Sequence, residues 1–266
     1  MLVLQNISKT FNPGTINEKK ALDGLNLHLR PGDFVTVIGG NGAGKSTMLN
    51  ATAGVWPVDE GRIILDGEDI TALPEHKRAH LIGRVFQDPM MGTAPNMQLE
   101  ENLALAARRG QKRGLKWGVT NAEREEYHER LKILGLGLED RMTSKVGLLS
   151  GGQRQAVTLL MAVLRKPKLL LLDEHTAALD PGTAAKVLEL SDKIVQENNL
   201  TTLMITHNMK DAIRHGNRLI MMNEGHIILD IEGEDKKKLT KQHLIDMFAQ
   251  KGASIDSDEA LLTKGG

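Results

Sequence analysis

Eight residues of this chain, Gly39-Gly40-Asn41-Gly42-Ala43-Gly44-Lys45-Ser46, have the types and spacing to hold phosphate. They fit the pattern G-x-x-x-x-G-K-[ST], with an apolar strand predicted over 34–38 and a helix over 46–53, stopped by Gly54. Glycines let the backbone curl so that successive N–H groups face phosphate oxygens at the positive end of a helix dipole. Lys45 would neutralise the β- and γ-phosphates, Ser46 would hold Mg2+, and Thr47 completes the candidate phosphate-binding set. A glycine turn joining strand to helix explains the glycines, but not Lys45-Ser46 in register after them.

Two further groups could act on such a phosphate. Leu169-Leu170-Leu171-Leu172-Asp173-Glu174 reads as a buried strand ending in two acids. A strand of that kind delivers its last residues to the carboxyl edge of a sheet, where α/β ligands sit. Asp173 would support Mg2+ through water and Glu174 would polarise an attacking water as general base. In Leu149-Ser150-Gly151-Gly152-Gln153, Ser150 is a good N-cap before an apolar helix that runs to Leu164. Exposed N–H groups at that helix start make a second anion site. One nucleotide needs only one such site, so the second would face a partner's nucleotide.

The Leu-Ser-Gly-Gly-Gln run, together with the phosphate loop and the acid pair in this order, resembles the ABC transporter ATPases over nearly the whole chain. The resemblance implies roles for residues that say little by themselves. Gln87 would be a metal and water contact that senses the membrane partner. Asp180, in Ala178-Leu179-Asp180, would lie in a loop crossing a dimer interface, and His207 would contact the γ-phosphate. Phe11 stands where the family places a ring against adenine, and reads equally as a core plug. His175 departs from the family's usual proline after the glutamate; it carries no catalytic role, and its expected effect is on local loop geometry. Implied partners are a second ATPase subunit in a head-to-tail dimer, transmembrane permease subunits and an extracellular substrate-binding lipoprotein. The site would lie on the cytoplasmic face of the membrane, peripherally bound. The wording around Phe86-Gln87-Asp88-Pro89-Met90-Met91 and Asp173-Glu174-His175-Thr176 is similar to ATPases of tryptophan/tyrosine uptake systems, cousins of branched-chain amino-acid importers.

These residues must be positioned by an α/β fold, and the pattern supplies one. Strands are predicted over 2–7, at the alternating Leu25, Leu27 and Leu29, and over 62–65. Residues 99–165 read as mainly helical. Strand and helix then alternate again over 169–173, 183–198 and 202–206, and Asn223-Glu224-Gly225 marks a hairpin. The predicted architecture is a P-loop NTPase core of the ABC-ATPase kind, with an antiparallel β subdomain and an α-helical subdomain inserted at about 88–165. It occupies 1–251, and the small polar tail 252–266 reads as mobile.

Composition narrows the function classes. Of the 266 residues 40% are hydrophobic, enough for a substantial core. Net charge is +0 and aromatics are 3%, which argues against nucleic acid as a partner. Cysteine is absent, so disulfides and thiolate metal sites are excluded, as suits the cytoplasm. The N-terminus lacks the pattern of a signal peptide and no apolar run approaches a bilayer span. Transport would therefore need other chains to form the pore. Met90 and Met91, or the basic run 108–113 with Trp117, are candidate contacts to the permease; core filling and a solvated loop are the plainer readings. Rival readings are a soluble ABC protein of translation or repair and a P-loop kinase. The single cassette, the lack of a coiled-coil insertion and the Ser-Gly-Gly run favour transport.

Overall fold

The computed structural model describes residues 1–111 and 118–250. The expectations for the tail from Gly252, and for Lys112, Arg113 and Trp117, lie outside the described residues. In chain order the elements begin with β1 (Leu2–Phe11), β2 (Lys19–Leu29), β3 (Phe34–Gly39), α1 (Lys45–Ala53), β4 (Glu60–Leu65), β5 (Glu68–Asp69) and α2 (Glu75–Arg78). Then come β6 (Ile82–Val85), α3 (Leu99–Ala107), α4 (Asn121–Lys132), α5 (Gly151–Val163), β7 (Leu169–Asp173) and α6 (Pro181–Asn198). The last are β8 (Thr201–Ile205), α7 (Met209–Arg214), β9 (Arg218–Asn223), β10 (His226–Glu232), α8 (Gly233–Lys237) and α9 (Lys241–Gln250). They form two compact units, Met1–Arg78 with Asn199–Gly266, and Ala79–Asn198.

In the first unit β1 pairs antiparallel with β2 and β4, and β4 with the short β5. β1 extends beyond the expected 2–7 because cross-strand pairing carries polar residues that alternation alone does not mark. β3 runs parallel to β8 on one side and β9 on the other, and all six of its residues are buried. Burial on both faces is why its sequence is a continuous apolar run rather than an alternating one. β9 and β10 form the expected hairpin, with Glu224 and Gly225 both in the left-handed region (φ 47° and 81°) as a tight turn demands. Against this layer α9 buries Leu244 and Phe248 beside Met209 and Ala212 of α7 and Leu219 and Met221 of β9. Arg78 is buried too, and it ties down the far end of α1. Its Nη1 donates to the carbonyls of Ala51 and Thr52 (2.8 and 2.9 Å), placing a cation at the helix's negative end.

In the second unit β6 and β7 pair in parallel, Ile82 with Leu169 through Val85 with Leu172. The four leucines of β7 are fully buried, so the chain leaves the strand at Asp173 with no freedom of register. The helices α3, α4 and α5 share a core of Leu99, Leu103, Tyr127, Leu131, Val157 and Leu160. All three begin with a capping box: Gln98 with Glu101, Thr120 with Glu123, and Ser150 with Gln153. α6 starts at Pro181, earlier than the predicted Thr183, because Asp180 caps it and proline suits the first helical position. Among the described residues no helix is long and apolar enough to cross a membrane.

Candidate functional site

The first unit presents the phosphate loop. Gly44 is the N-cap of α1, with φ 101°, and no side chain caps the helix. A Cβ there would lie 2.5 Å from the Ala21 carbonyl oxygen, so both conformation and space demand glycine. The first turn of α1 carries no acidic residue. Uncapped amides and an uncompensated dipole leave this helix start, unlike the three with capping boxes, suited to an anion. Lys45 is buried and folds back over the loop, donating from Nζ to the carbonyls of Gly39 (2.6 Å) and Gly40 (2.9 Å). Ala43 is buried, Asn41, Gly42 and Ser46 are exposed, and Thr47 is half-buried. The Ala43 amide donates to Gly40 and its carbonyl accepts from Gly225, so the loop is closed on itself and fastened to the hairpin turn.

His207 leaves the same carboxyl edge as this loop, because β8 pairs in parallel with β3, Ile205 beside Val37. It is half-buried and held from both sides. The Thr206 amide donates to the Val37 carbonyl at 3.1 Å, and Asn208 caps α7 through the amides of Lys210 and Asp211. Phe11 is no lone ring. It packs edge-to-face with Trp56 at 4.9 Å between centroids, and the Lys9 ammonium stands 5.8 Å from its centre. Trp56 carried no signal in the sequence.

The second unit brings the remaining candidates together. Gln87, exposed, follows β6, while Asp173 and Glu174 end β7, so parallel pairing carries all three to one edge. The Asp173 carboxylate is ion-paired with Arg84 at 3.3 Å, and Arg84 in turn stacks over Phe86 at 4.5 Å. Arg84 became visible only through strand pairing. Glu174 has φ 46°, a left-handed conformation that costs a non-glycine residue about 1–3 kcal/mol and is concentrated at functional sites. Behind it His175 is buried, its Nε2 3.0 Å from the Ser191 hydroxyl of α6. Asp180 is exposed and accepts from the Thr183 amide at 3.0 Å. Bonds from the Thr183 side chain and amide hold its carboxyl below the usual aspartate value.

Ser150 and Gln153 close a reciprocal box: the Gln153 amide donates to Ser150 Oγ (3.3 Å) and the Ser150 amide to Gln153 Oε1 (3.1 Å). The glycines after Ser150 also serve packing. A Cβ at Gly152 would lie 2.1 Å from Thr183 Cγ2, so α5 and α6 approach closely there. One turn of α5 also grips the segment around Gln87. Gln155, fully buried, donates to the Phe86 carbonyl at 3.2 Å, and Arg154 reaches the Met90 sulfur at 2.7 Å. Met90 and Met91 are themselves exposed, at 40% and 69%.

One unit carries an uncapped helix start suited to phosphate at a parallel-strand edge, and the other a parallel strand that ends in paired acids; together these are the features of an α/β nucleotide-binding ATPase cassette. A family model described as ABC transporter matches residues 22–177, more than half of the chain. The tyrosine transport ATP-binding protein of Clostridioides difficile is 45% identical over 249 residues, covering 93% of this chain and 98% of that protein. The methionine import ATP-binding protein MetN of Corynebacterium diphtheriae is 34% identical over 98% of this chain and 76% of its own length. Among solved structures, the dimeric post-hydrolysis state of the ATP-binding cassette MJ0796 bound to ADP and Pi has a TM-score of 0.74 at 31% identity, covering 87% of this chain and 98% of that one. The ADP conformation of the cassette MJ1267 has a TM-score of 0.76 at 30% identity, covering 94% and 98%. The chain belongs to the ABC transporter family. It is an ATP-hydrolysing transport ATPase with the mixed α/β cassette fold.

Proposed function

We propose that this chain powers an importer of an aromatic amino acid of the tyrosine class, acting at the cytoplasmic face of the membrane. The cargo rests on similarity to the tyrosine transport ATP-binding protein across almost the full length of both chains. Its partners are a second ATPase subunit, placed head to tail, transmembrane permease subunits, and an extracellular binding lipoprotein. Similar solved cassettes described as dimeric support the first of these. Exposed Met90 and Met91, on the segment after Gln87, are adaptable apolar groups suited to the permease.

The observation that carries the chemistry is the uncapped start of α1 with Lys45 folded over its loop. Amides of the loop 39–44, with Lys45, Ser46 and Thr47, hold the phosphates, and the Phe11 ring meets the base. Magnesium arrives with the nucleotide as part of the substrate, since it usually keeps several waters and takes one or two carboxylates beside phosphate oxygens. Ser46 and Gln87 offer it neutral oxygens; Asp173, already paired with Arg84, acts through water. Glu174 accepts the proton of the attacking water, and His207 donates to the γ-phosphate as charge develops. Ser150, Gly151, Gly152 and Gln153 serve the partner's nucleotide, with Asp180 at the shared interface.

Glu174→Gln keeps the side chain's size and removes the base. It is expected to bind ATP normally, to lose about 10²–10⁴-fold in hydrolysis, and to accumulate as a dimer with ATP in gel filtration. Phosphate release at the unmodified rate would remove Glu174 as the base. For the cargo, membrane vesicles carrying the full system should take up labelled tyrosine only with ATP; uptake of an unrelated amino acid alone would overturn the assignment.

A further inference from the structure

Three lysines lie on the strand pair that carries Phe11, and they are not equivalent. Lys9 is neutralised by Asp59 at 2.8 Å, and Lys20 is paired with Asp23. Lys19 stands directly across the strand pair from Phe11. It is exposed, and among the described residues no carboxylate pairs with it. The neighbouring Glu18 carboxylate instead accepts from the Gly14 amide at 2.6 Å. The Lys19 ammonium does not simply point to solvent: a Cβ at Gly42 would lie 2.8 Å from its Nζ. Gly42, with φ 78°, is the exposed crest of the phosphate loop. One unpaired cation is thus held with its root opposite the aromatic ring and its charge on the loop.

We propose that Lys19 is a further nucleotide-binding residue, contacting the base-proximal phosphate of an adenine nucleoside di- or triphosphate. The proposal rests on the nucleotide reading of this loop. The division of labour follows from position. Lys45 lies within the loop, on the carbonyls of Gly39 and Gly40, whereas Lys19 approaches the crest from the side of Phe11. A ligand with its base on Phe11 and its terminal phosphates in the loop must pass between them. An ammonium is a compact cation with three rotatable donors, suited to a phosphate that has no fixed orientation before binding.

The test measures affinity for ADP and for a non-hydrolysable ATP analogue by titration calorimetry on the full chain. Lys19→Ala should weaken both by about fivefold, the upper range for an exposed ion pair, and Lys19→Glu should weaken both further. Lys19→Arg should stay within about twofold of the parent, and the losses should shrink at high salt. Equal affinities for the parent and Lys19→Glu would overturn the proposal, as would a loss confined to the ATP analogue, which would put Lys19 at the terminal phosphate. Lys45→Ala is measured alongside. If it loses nucleotide while Lys19→Glu does not, only the Lys19 assignment falls. If the parent chain binds neither nucleotide, the reading of the loop falls with it.

Discussion

His175 and Ser191 meet in the interior of one compact unit, with Nε2 and Oγ 3.0 Å apart. The Ser191 hydroxyl donates its one proton to the Val187 carbonyl at 2.8 Å, so in this contact the imidazole must be the donor. The residue beside the strained Glu174 is thereby pinned to α6 by a directed bond, in place of the proline the family usually has. Ser191→Ala should cost about 1–3 kcal/mol by leaving a buried N–H without that acceptor, read from urea unfolding. It should lower kcat with little change in nucleotide affinity, because it loosens Glu174 and touches no phosphate. Unchanged stability together with unchanged kcat would show that the contact holds nothing.

Gln155 offers a different separation of stability from activity. Its Nε2 bonds the Phe86 carbonyl, but its Oε1 is buried with no hydrogen-bond partner among the described residues. Gln155→Met keeps the volume, removes both groups and should change stability by less than about 1.5 kcal/mol. Hydrolysis should fall further than that implies, since the start of the Gln87 segment loses its tether to α5. Full ATPase activity in this variant would mean that Gln87 is positioned by other contacts.

Shared sites predict rescue in mixtures. Ser150→Arg should be inactive yet bind nucleotide as a monomer, and Lys45→Ala should be inactive by failing to hold phosphate. A heterodimer of the two retains one site with an intact loop and an intact Ser150. With one of two sites intact, each heterodimer should show up to half of the parent dimer's activity. Verified heterodimers with no phosphate release would argue that each chain completes its own site.

Acid stability should report on Asp33. Burial pushes its carboxyl up, but the Arg30 amide (2.9 Å), the Asn217 side chain (3.2 Å) and the Arg30 guanidinium (3.3 Å) outweigh this and hold it below 3.8. With the folded value below the unfolded one, the carboxylate's contribution is present above pH 3.8 and disappears as pH falls through the folded value. Asp33→Asn should therefore flatten the loss of stability as the pH falls below 3.8. The same acid slope in both proteins would place the effect elsewhere.

Much of the candidate site was legible because the chemistry proposed for it demands short, contiguous runs. A phosphate loop needs glycines and a lysine at set spacing, and a strand buried on both faces needs four apolar residues before its acids. The Ser150 cap and the 223–225 hairpin were equally local. Arg84, Trp56, Lys19 and Ser191 were not legible, because each acts on a residue far along the chain. Arg84 meets Asp173 only because β6 and β7 pair in register, and Lys19 meets Gly42 only because β2 returns past the loop. The C-terminal helix α9 was missed since its few buried positions, Leu244 and Phe248, make sense only against α7.

The order of side chains along the chain thus determined the class of reaction, the candidate groups for it and most of the strands and helices that present them. Tertiary structure alone decided which charges are neutralised, which helix start stays uncapped and what holds Glu174 in a left-handed turn. Spacing encodes contacts within a few residues; pairing across a sheet or between helices depends on packing energy summed over whole elements, which no short run of residues records.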